Sequence, residues 1–200
     1  SESALRKKLS LDSDIPYFTV VFHPVTLDDT KPGKQIQELL NVIEKFENIM
    51  FVVMKANADS GGEIINKYWQ KFSDTHVNCK LFSSLRVEEY LALQKYSLGL
   101  IGNSSSGIIE TPCFGIPTIN IGDRQKGRLM ADSIINCKTE KESICKAIKI
   151  AMSDEFRERA QKAVNPYGSG NTSYEILKII KDFVCNSKVN LKKEFYDVNF

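Results

Sequence analysis

Short apolar runs alternate with amphipathic segments along most of this 200-residue chain. The runs are rich in β-branched and aromatic residues, which is typical of strands buried on both faces of a sheet. The segments between them carry apolar residues at the three- and four-residue spacing of a helix with one buried face. The strand-like runs lie at 17–22, 49–54, 77–82, 97–101 and 117–121, and the helical segments at 34–46, 86–95, 140–152 and 173–184. This alternation predicts an α/β fold with a doubly wound, Rossmann-like parallel sheet.

The length of the chain and its 42% hydrophobic content suffice for one domain with one good core. We expect that domain to span 16–185. An entering helix and linker at 1–15 precede it, and a tail at 186–200, polar and then aromatic, follows it. The first residue is Ser1 and its segment reads as a helix arriving from elsewhere, so we expect the chain to be a piece of a longer protein.

Charge and cysteine content argue against several classes of function. The net charge is +2 and no long run of Lys or Arg occurs, so we expect no nucleic-acid partner. The apolar runs are too short to span a membrane and the N-terminus lacks a signal-peptide pattern, so we expect a soluble, cytoplasmic protein without a membrane partner. The five cysteines show no CxxC spacing. Neither a disulfide framework nor a zinc site is indicated, and we expect no metal and no cofactor.

The stretch GNSSSG at 102–107 lies between a predicted strand and a short predicted helix at 107–114. Open α/β sheets bind ligands at the carboxyl ends of their strands. The first amide groups of a helix lack partners within the helix and lie at the positive end of its dipole, so they suit a phosphate group. One serine could instead simply cap the helix, but three hydroxyls exceed that need. Pro112 implies a helix of about two turns, or a kinked one. The candidate anion-binding residues are Ser104, Ser105, Ser106 and Gly107.

Two charged residues extend this candidate site toward a nucleotide. Glu110 lies one helical turn after Ser106, where a carboxylate could accept hydrogen bonds from a pair of sugar hydroxyls. The alternative is a solvated charge on the face of a helix. Arg124 follows the strand-like run at 117–121, so its guanidinium could bind the same anion with two parallel hydrogen bonds. Together they predict a nucleotide whose ribose lies near Glu110.

Polar residues also follow the first two predicted strands. His23 leaves the first strand at its carboxyl end and is followed by Pro24. A lone histidine can be structural, but this position also suits a catalytic role or a contact to phosphate. Asn57 and Asp59 follow the second strand, and they face the same crevice if the sheet is parallel.

Four motifs in this order, FHPVT, NADSGG, IGNSSSGIIETPCFGIPTINIGDRQKGR and NPYGSGN, resemble the UDP-N-acetylglucosamine 2-epimerases. They are most similar to the hydrolysing branch that feeds sialic acid synthesis. The resemblance runs from about Tyr17 to Val184. It implies a GT-B-like fold of two Rossmann-like domains with the active site between them, of which this chain would be the C-terminal half.

The resemblance also implies roles for single residues. Ser104 and Ser105 would hold the diphosphate of UDP, with Arg124 supporting the phosphate side. Glu110 would hold the ribose hydroxyls, and the backbone around Leu85 would contact the uracil. On the sugar side the cleft would be lined by His23, Asn57 and Asp59.

The reaction implied by the resemblance is elimination of UDP from UDP-N-acetylglucosamine, followed by addition of water to release N-acetylmannosamine. The acid and base carboxylates would belong to the N-terminal domain, so the chain alone is expected to be inactive. The whole enzyme is expected to be a homo-oligomer. Two alternatives remain at this point: the donor domain of a GT-B glycosyltransferase that uses a UDP-sugar, and a UDP-binding module without catalysis.

Overall fold

The computed structural model describes residues 1–25, 30–168, 170–186 and 192. The chain divides into two compact units, Ser1–Pro166 and Tyr167–Phe200. The domain boundaries expected at residues 16 and 185 stay predictions.

A six-stranded sheet, parallel throughout, forms the first unit. Its strands are β1 (Tyr17–Val21), β2 (Met50–Met54), β3 (Cys79–Phe82), β4 (Leu100–Gly102), β5 (Thr118–Ile121) and β6 (Ile134–Cys137). They lie side by side in the order β3-β2-β1-β4-β5-β6. This is the strand order of the Rossmann fold, so the predicted fold class is confirmed.

Seven α-helices accompany the described strands of this unit. They are α1 (Glu2–Lys8), α2 (Pro32–Ile43), α3 (Gly62–Thr75), α4 (Val87–Lys95), α5 (Ser106–Ile109), α6 (Lys141–Met152) and α7 (Asp154–Lys162). A 3₁₀ turn at Thr111–Phe114 follows α5. The second unit contains α8 (Thr172–Asn186), which confirms the helix predicted at 173–184.

Alternate residues of the central strands pack on opposite faces of the sheet, because successive side chains of a strand point in opposite directions. Phe18, Val20 and Phe51 pack with buried residues of α2, α3 and α6. Tyr17 and Val52 pack on the other face with buried residues of α1 and α4. The sheet is therefore covered by helices on both sides, as a doubly wound fold requires.

Some elements differ from the sequence-based expectation. The third strand begins at Cys79 and not at residue 77, because Val77 is 97% exposed. Strand β6 and helices α3 and α7 were not predicted. The predicted tail at 186–200 lies outside the described residues, apart from Asn186 and Lys192. None of the described helices is long and apolar enough to cross a membrane.

Candidate functional site

The predicted site residues follow the carboxyl ends of five neighbouring strands. They are His23 after β1, Asn57 and Asp59 after β2, Leu85 after β3, Ser104, Ser105, Ser106, Gly107 and Glu110 after β4, and Arg124 after β5. Because all these strands are parallel, the loops meet at one edge of the sheet. The strand order reverses between β1 and β4, and open α/β sheets bind ligands in the crevice at such a switch point.

Asn103 joins the two strands that flank this switch point. Its side-chain oxygen accepts a hydrogen bond from the His23 backbone N–H at 2.7 Å, and its side-chain amide donates to the His23 carbonyl at 2.8 Å. Its own backbone N–H donates to Val21 O at 3.1 Å. The strands approach so closely that a Cβ at Gly102 would lie 1.9 Å from the same Val21 oxygen. The loops after β1 and β4 are therefore held in fixed register by a buried asparagine that the sequence had not singled out.

The carbonyl of Asn103 also anchors the loop after β5. Arg124 Nη1 donates to it at 3.2 Å and Gln125 Nε2 donates to it at 2.8 Å. Gln125 is buried, so its side chain fixes the start of this loop from inside the protein. Three loops thus meet at one residue, which places the Arg124 guanidinium at the switch point.

His23 is held as a neutral ring. Burial lowers its pKa below the ordinary value of 6.5, and the positive charge of Arg124 lowers the pKa further. Its Nδ1 accepts a hydrogen bond from the Asn57 N–H at 3.2 Å, so the ring proton of the neutral form lies on Nε2. The structure therefore presents His23 as a hydrogen-bond donor and not as a cation.

The carboxylate of Asp59 faces Arg124. Arg124 Nη2 and Asp59 Oδ2 are 3.9 Å apart, and both side chains are partly exposed. Asp59 Oδ2 also accepts a hydrogen bond from the Asn57 side chain at 2.7 Å. A partly exposed ion pair contributes less than about 1 kcal/mol, so Arg124 could exchange Asp59 for a ligand phosphate at little cost.

The serine loop differs in detail from the expectation. The amides of Gly107 and Ile108 already donate to the carbonyls of Ser104 and Ser105, at 3.2 and 3.0 Å. The Ser106 N–H donates to Ser104 Oγ at 3.3 Å. Within residues 103–108, the amides of Ser104 and Ser105 have no acceptor among the residues that the structure describes. The donors open to an anion thus lie before α5 and not in its first turn.

The helix after this loop is short, as Pro112 implied. Helix α5 ends at Ile109, and Pro112 lies in the 3₁₀ turn that follows. Gly107 is buried, and a Cβ there would lie 2.8 Å from Thr118 Cγ2 and 3.0 Å from Leu100 Cδ2. What the structure assigns to Gly107 is close packing of α5 on β4 and β5. Its contact with a nucleotide stays a prediction.

Helix α4 supports the same segment from the other side. The Tyr90 hydroxyl and Ser106 Oγ are 2.5 Å apart, and Gln94 Nε2 donates to Glu110 Oε2 at 3.3 Å. Burial raises the pKa of Tyr90 to about 12, so its hydroxyl remains protonated at neutral pH. Neither residue was predicted to belong to the site. Leu85, at the end of the β3 loop, is half-buried and packs against the apolar cluster under α1 and α4.

No cluster of three His, Cys, Asp or Glu side chains suited to a metal ion occurs within residues 1–25, 30–168 and 170–186. The five cysteines are all free thiols. The predicted site residues therefore supply amides, hydroxyls, one neutral imidazole, one guanidinium and two carboxylates.

Comparison with known families decides how this edge is to be interpreted. The model of a family described as UDP-N-acetylglucosamine 2-epimerase matches residues 1–181. The chain belongs to this epimerase family. The match covers the entire sheet and every predicted site residue, so the resemblance noted from the four motifs is confirmed.

Curated relatives of the epimerase family support the same assignment. The chain is 44% identical over 183 residues to polysialic acid biosynthesis protein P7 of Escherichia coli, covering 91% of this chain and 46% of the relative. It is 37% identical over 199 residues to the GDP/UDP-N,N'-diacetylbacillosamine 2-epimerase (hydrolyzing) of Campylobacter jejuni, covering 97% of this chain and 50% of the relative. The chain thus spans about half the length of the curated relatives it matches.

Solved structures of epimerases share the fold. The UDP-GlcNAc 2-epimerase of Neisseria meningitidis, solved with UDP-GlcNAc bound, superposes with a TM-score of 0.73 at 17% sequence identity. That superposition covers 90% of this chain and 48% of the Neisseria chain. The fold is therefore that of one half of a GT-B-like epimerase.

Proposed function

We propose that this chain is the C-terminal, UDP-binding half of a hydrolysing UDP-N-acetylglucosamine 2-epimerase that acts in sialic acid synthesis. The observation that carries this proposal is the junction at Asn103, where the loops of three strands bring one guanidinium, one neutral imidazole and two free amides to the switch point of an epimerase-family sheet. That set of groups suits the diphosphate of a nucleotide sugar.

Elimination of UDP from the sugar would build negative charge on the departing β-phosphate. Donors fixed before the reaction stabilise such charge without reorganising, which is where binding energy accelerates a reaction most. Arg124 supplies the positive charge, and the amides of Ser104 and Ser105 supply donors from a loop held by its own hydrogen bonds. His23 would add a neutral N–H donor on the sugar side.

Glu110 would accept hydrogen bonds from the ribose hydroxyls, and the backbone near Leu85 would contact the uracil. Asn57 and Asp59 would line the sugar side of the cleft. The carboxylates that remove and return the proton at C2 of the sugar would belong to the other half of the protein. We therefore propose that this chain alone binds UDP without turning over UDP-N-acetylglucosamine.

Two nucleotide sugars are candidate substrates of the full-length protein. The similarity to a polysialic acid biosynthesis protein supports UDP-N-acetylglucosamine and hence N-acetylmannosamine as the product. The similarity to a hydrolysing diacetylbacillosamine 2-epimerase supports UDP-N,N'-diacetylbacillosamine as the second candidate. Both would undergo the same elimination and hydration.

Product analysis by NMR of the full-length protein tests this proposal. With UDP-N-acetylglucosamine or UDP-N,N'-diacetylbacillosamine and no acceptor, we expect release of UDP together with the free 2-epimeric sugar. The preferred substrate is the one with the larger kcat/KM. Arg124→Ala should lower kcat/KM by about a hundredfold for the preferred substrate, because a preorganised donor to the leaving group is lost.

The same substitution at Arg159, an exposed residue of α7, is the matched control and should leave kcat/KM unchanged. A requirement for an acceptor, with a glycoside as product, would identify a glycosyltransferase and overturn the proposal. Measurable epimerisation by the 200-residue chain alone would overturn the assignment of the acid and base carboxylates to the other half.

A further inference from the structure

Helix α4 presents two polar side chains to the segment that carries the candidate nucleotide residues. Tyr90 and Gln94 are four residues apart, so they lie one turn apart on the same face of the helix. Tyr90 contacts Ser106, and Gln94 contacts Glu110 and Thr111. The face of α4 that meets the loop therefore touches both its proposed phosphate end and its proposed ribose end.

The side-chain amide of Gln94 has one orientation that satisfies both of its neighbours. Gln94 is fully buried, and its Oε1 accepts a hydrogen bond from the Thr111 hydroxyl at 2.7 Å. Its Nε2 donates to Glu110 Oε2 at 3.3 Å. The reversed amide would place its oxygen against the ionised carboxylate of Glu110, which has no proton to donate. The charge on Glu110 and the hydroxyl of Thr111 together fix which way the amide points.

This contact constrains Glu110 while leaving it able to bind a ligand. Glu110 is partly exposed, and its Oε1 has no hydrogen-bond donor among the residues that the structure describes. A free glutamate side chain loses rotamer freedom when it binds, and that loss weakens binding. A carboxylate that is already held by a buried amide has lost part of this rotamer freedom during folding, so it loses less when it binds.

We propose that Gln94 is a positioning residue that orients Glu110 to accept the ribose hydroxyls of the bound nucleotide. The proposal rests on the proposed function, since it takes Glu110 to be the ribose contact. Gln94 acts only through Glu110 and touches no ligand. Its effect should therefore appear only with nucleotides that carry ribose hydroxyls.

Calorimetric titration of the full 200-residue chain with UDP and with 2′,3′-dideoxy-UDP tests this role. The wild-type chain should bind UDP about tenfold more tightly than the dideoxy nucleotide, because a hydrogen bond to a charged acceptor is lost. Glu110→Ala, which removes the acceptor, should reduce that preference to near one. Gln94→Met, which is nearly isosteric, should reduce it about threefold and leave affinity for the dideoxy nucleotide unchanged. The Thr111 hydroxyl keeps an acceptor in this variant, since it also contacts Ser106 O at 3.2 Å.

Leu93→Val is the control for a purely structural effect, because Leu93 is a fully buried neighbour on the same helix. It should lower stability and keep the wild-type preference for UDP. If Gln94→Met does not fold, Gln94→Leu replaces it. This variant also removes the donor to Glu110 and leaves the Thr111 hydroxyl its contact with Ser106 O, so it should lower the preference as well.

The outcomes separate the inference from the proposed function. A wild-type preference that Glu110→Ala removes but the Gln94 variants retain would overturn the role of Gln94 and leave the nucleotide site standing. A wild-type chain that binds both nucleotides equally would overturn the ribose contact at Glu110 and the role of Gln94, and one that binds neither would overturn the proposed function.

Discussion

The buried side chain and the backbone carbonyl of Asn103 form their hydrogen bonds with residues of neighbouring loops. The side-chain amide is hydrogen-bonded to both the N–H and the carbonyl of His23. The backbone carbonyl accepts hydrogen bonds from the side chains of Arg124 and Gln125. A buried amide without partners would cost several kcal/mol, so these loops cannot shift independently of one another. The residues proposed to bind ligand are thus positioned by a residue that has no proposed contact with ligand.

Stability below neutral pH should depend on His23. Its pKa in the folded chain lies below 6.5, because of burial and then of Arg124, whereas the unfolded chain takes up the proton near 6.5. The unfolded state therefore binds more protons as the pH falls from 6.5 toward the lowered pKa, and the free energy of unfolding decreases through that window. Urea unfolding at pH 7.5, 6.5 and 5.5 should show a smaller decrease for His23→Asn than for the wild type.

Asparagine retains an acceptor near the position of Nδ1, so the bond from the Asn57 amide can persist in this variant. If the free energy of unfolding changed with pH equally in the wild type and in His23→Asn, the assignment of His23 as a neutral ring would be contradicted.

At the residue scale, the sequence revealed the groups with ligand chemistry but not those that hold them. The serines, Glu110 and Arg124 stand out because charged or clustered hydroxyl residues follow strands. Asn103 and Gln94 do not, since an asparagine in a loop and a glutamine in a helix look like ordinary surface residues. Their burial and partners depend on contacts across as many as 80 positions, which no local pattern records.

Helix α5 can pack closely on the sheet because Gly107 has no side chain. A Cβ at Gly107 would lie within 3.0 Å of Thr118 of β5 and Leu100 of β4, and Thr118 Oγ1 donates to the Gly107 carbonyl at 2.8 Å. The helix is only four residues long, so tertiary packing and not helix propensity must hold it.

Gly107→Ala should therefore lower the free energy of unfolding by about 1–3 kcal/mol, the usual cost of forcing atoms into a packed core. Gly33→Ala is the matched control in helix α2, where the new Cβ would meet the flexible end of Tyr68 at 3.3 Å. Alanine is the better helix former by about 1 kcal/mol, so this variant should be neutral or stabilised. Urea midpoints measure both. An unchanged midpoint for Gly107→Ala would mean that α5 can move away from the sheet.

At the element scale, periodicity predicted the central strands and helices α2, α4, α6 and α8. It missed α3, although that helix buries Ile65, Trp69 and Phe72. It did not reveal α7, because Ala160 is the one buried residue of that helix and no stripe exists to be seen. It did not reveal β6, since that edge strand is half-exposed and carries Asn136 in its middle. Edge elements bury less surface, so their sequences are less constrained.

At the scale of the whole molecule, strand order determines where the site lies. The order reverses between β1 and β4, so the loops that follow these strands diverge and leave a crevice between them. Alternation of strands and helices predicted that such an edge exists. Which strands lie next to each other depends on pairing between distant segments, and this was available only through the family resemblance.

Binding of UDP to the folded chain should raise its stability as a whole, because a ligand that binds only the folded state shifts the unfolding equilibrium. With UDP at a hundred times its Kd, the free energy of unfolding should rise by about 2.7 kcal/mol. Trp69 reports unfolding well, since it is the one tryptophan of the chain and is fully buried beside Phe72. At a fixed UDP concentration, Arg124→Ala should show a smaller rise than the wild type.

Uridine separates the phosphate contact from the rest of the site. It lacks the diphosphate, so the smaller stabilisation that it gives should be the same in the wild type and in Arg124→Ala. A variant that responds less to both ligands would show that Arg124 shapes the loops and does not bind phosphate. A wild-type chain whose stability is unchanged by saturating UDP would show that the switch-point crevice does not hold the nucleotide in this half of the protein.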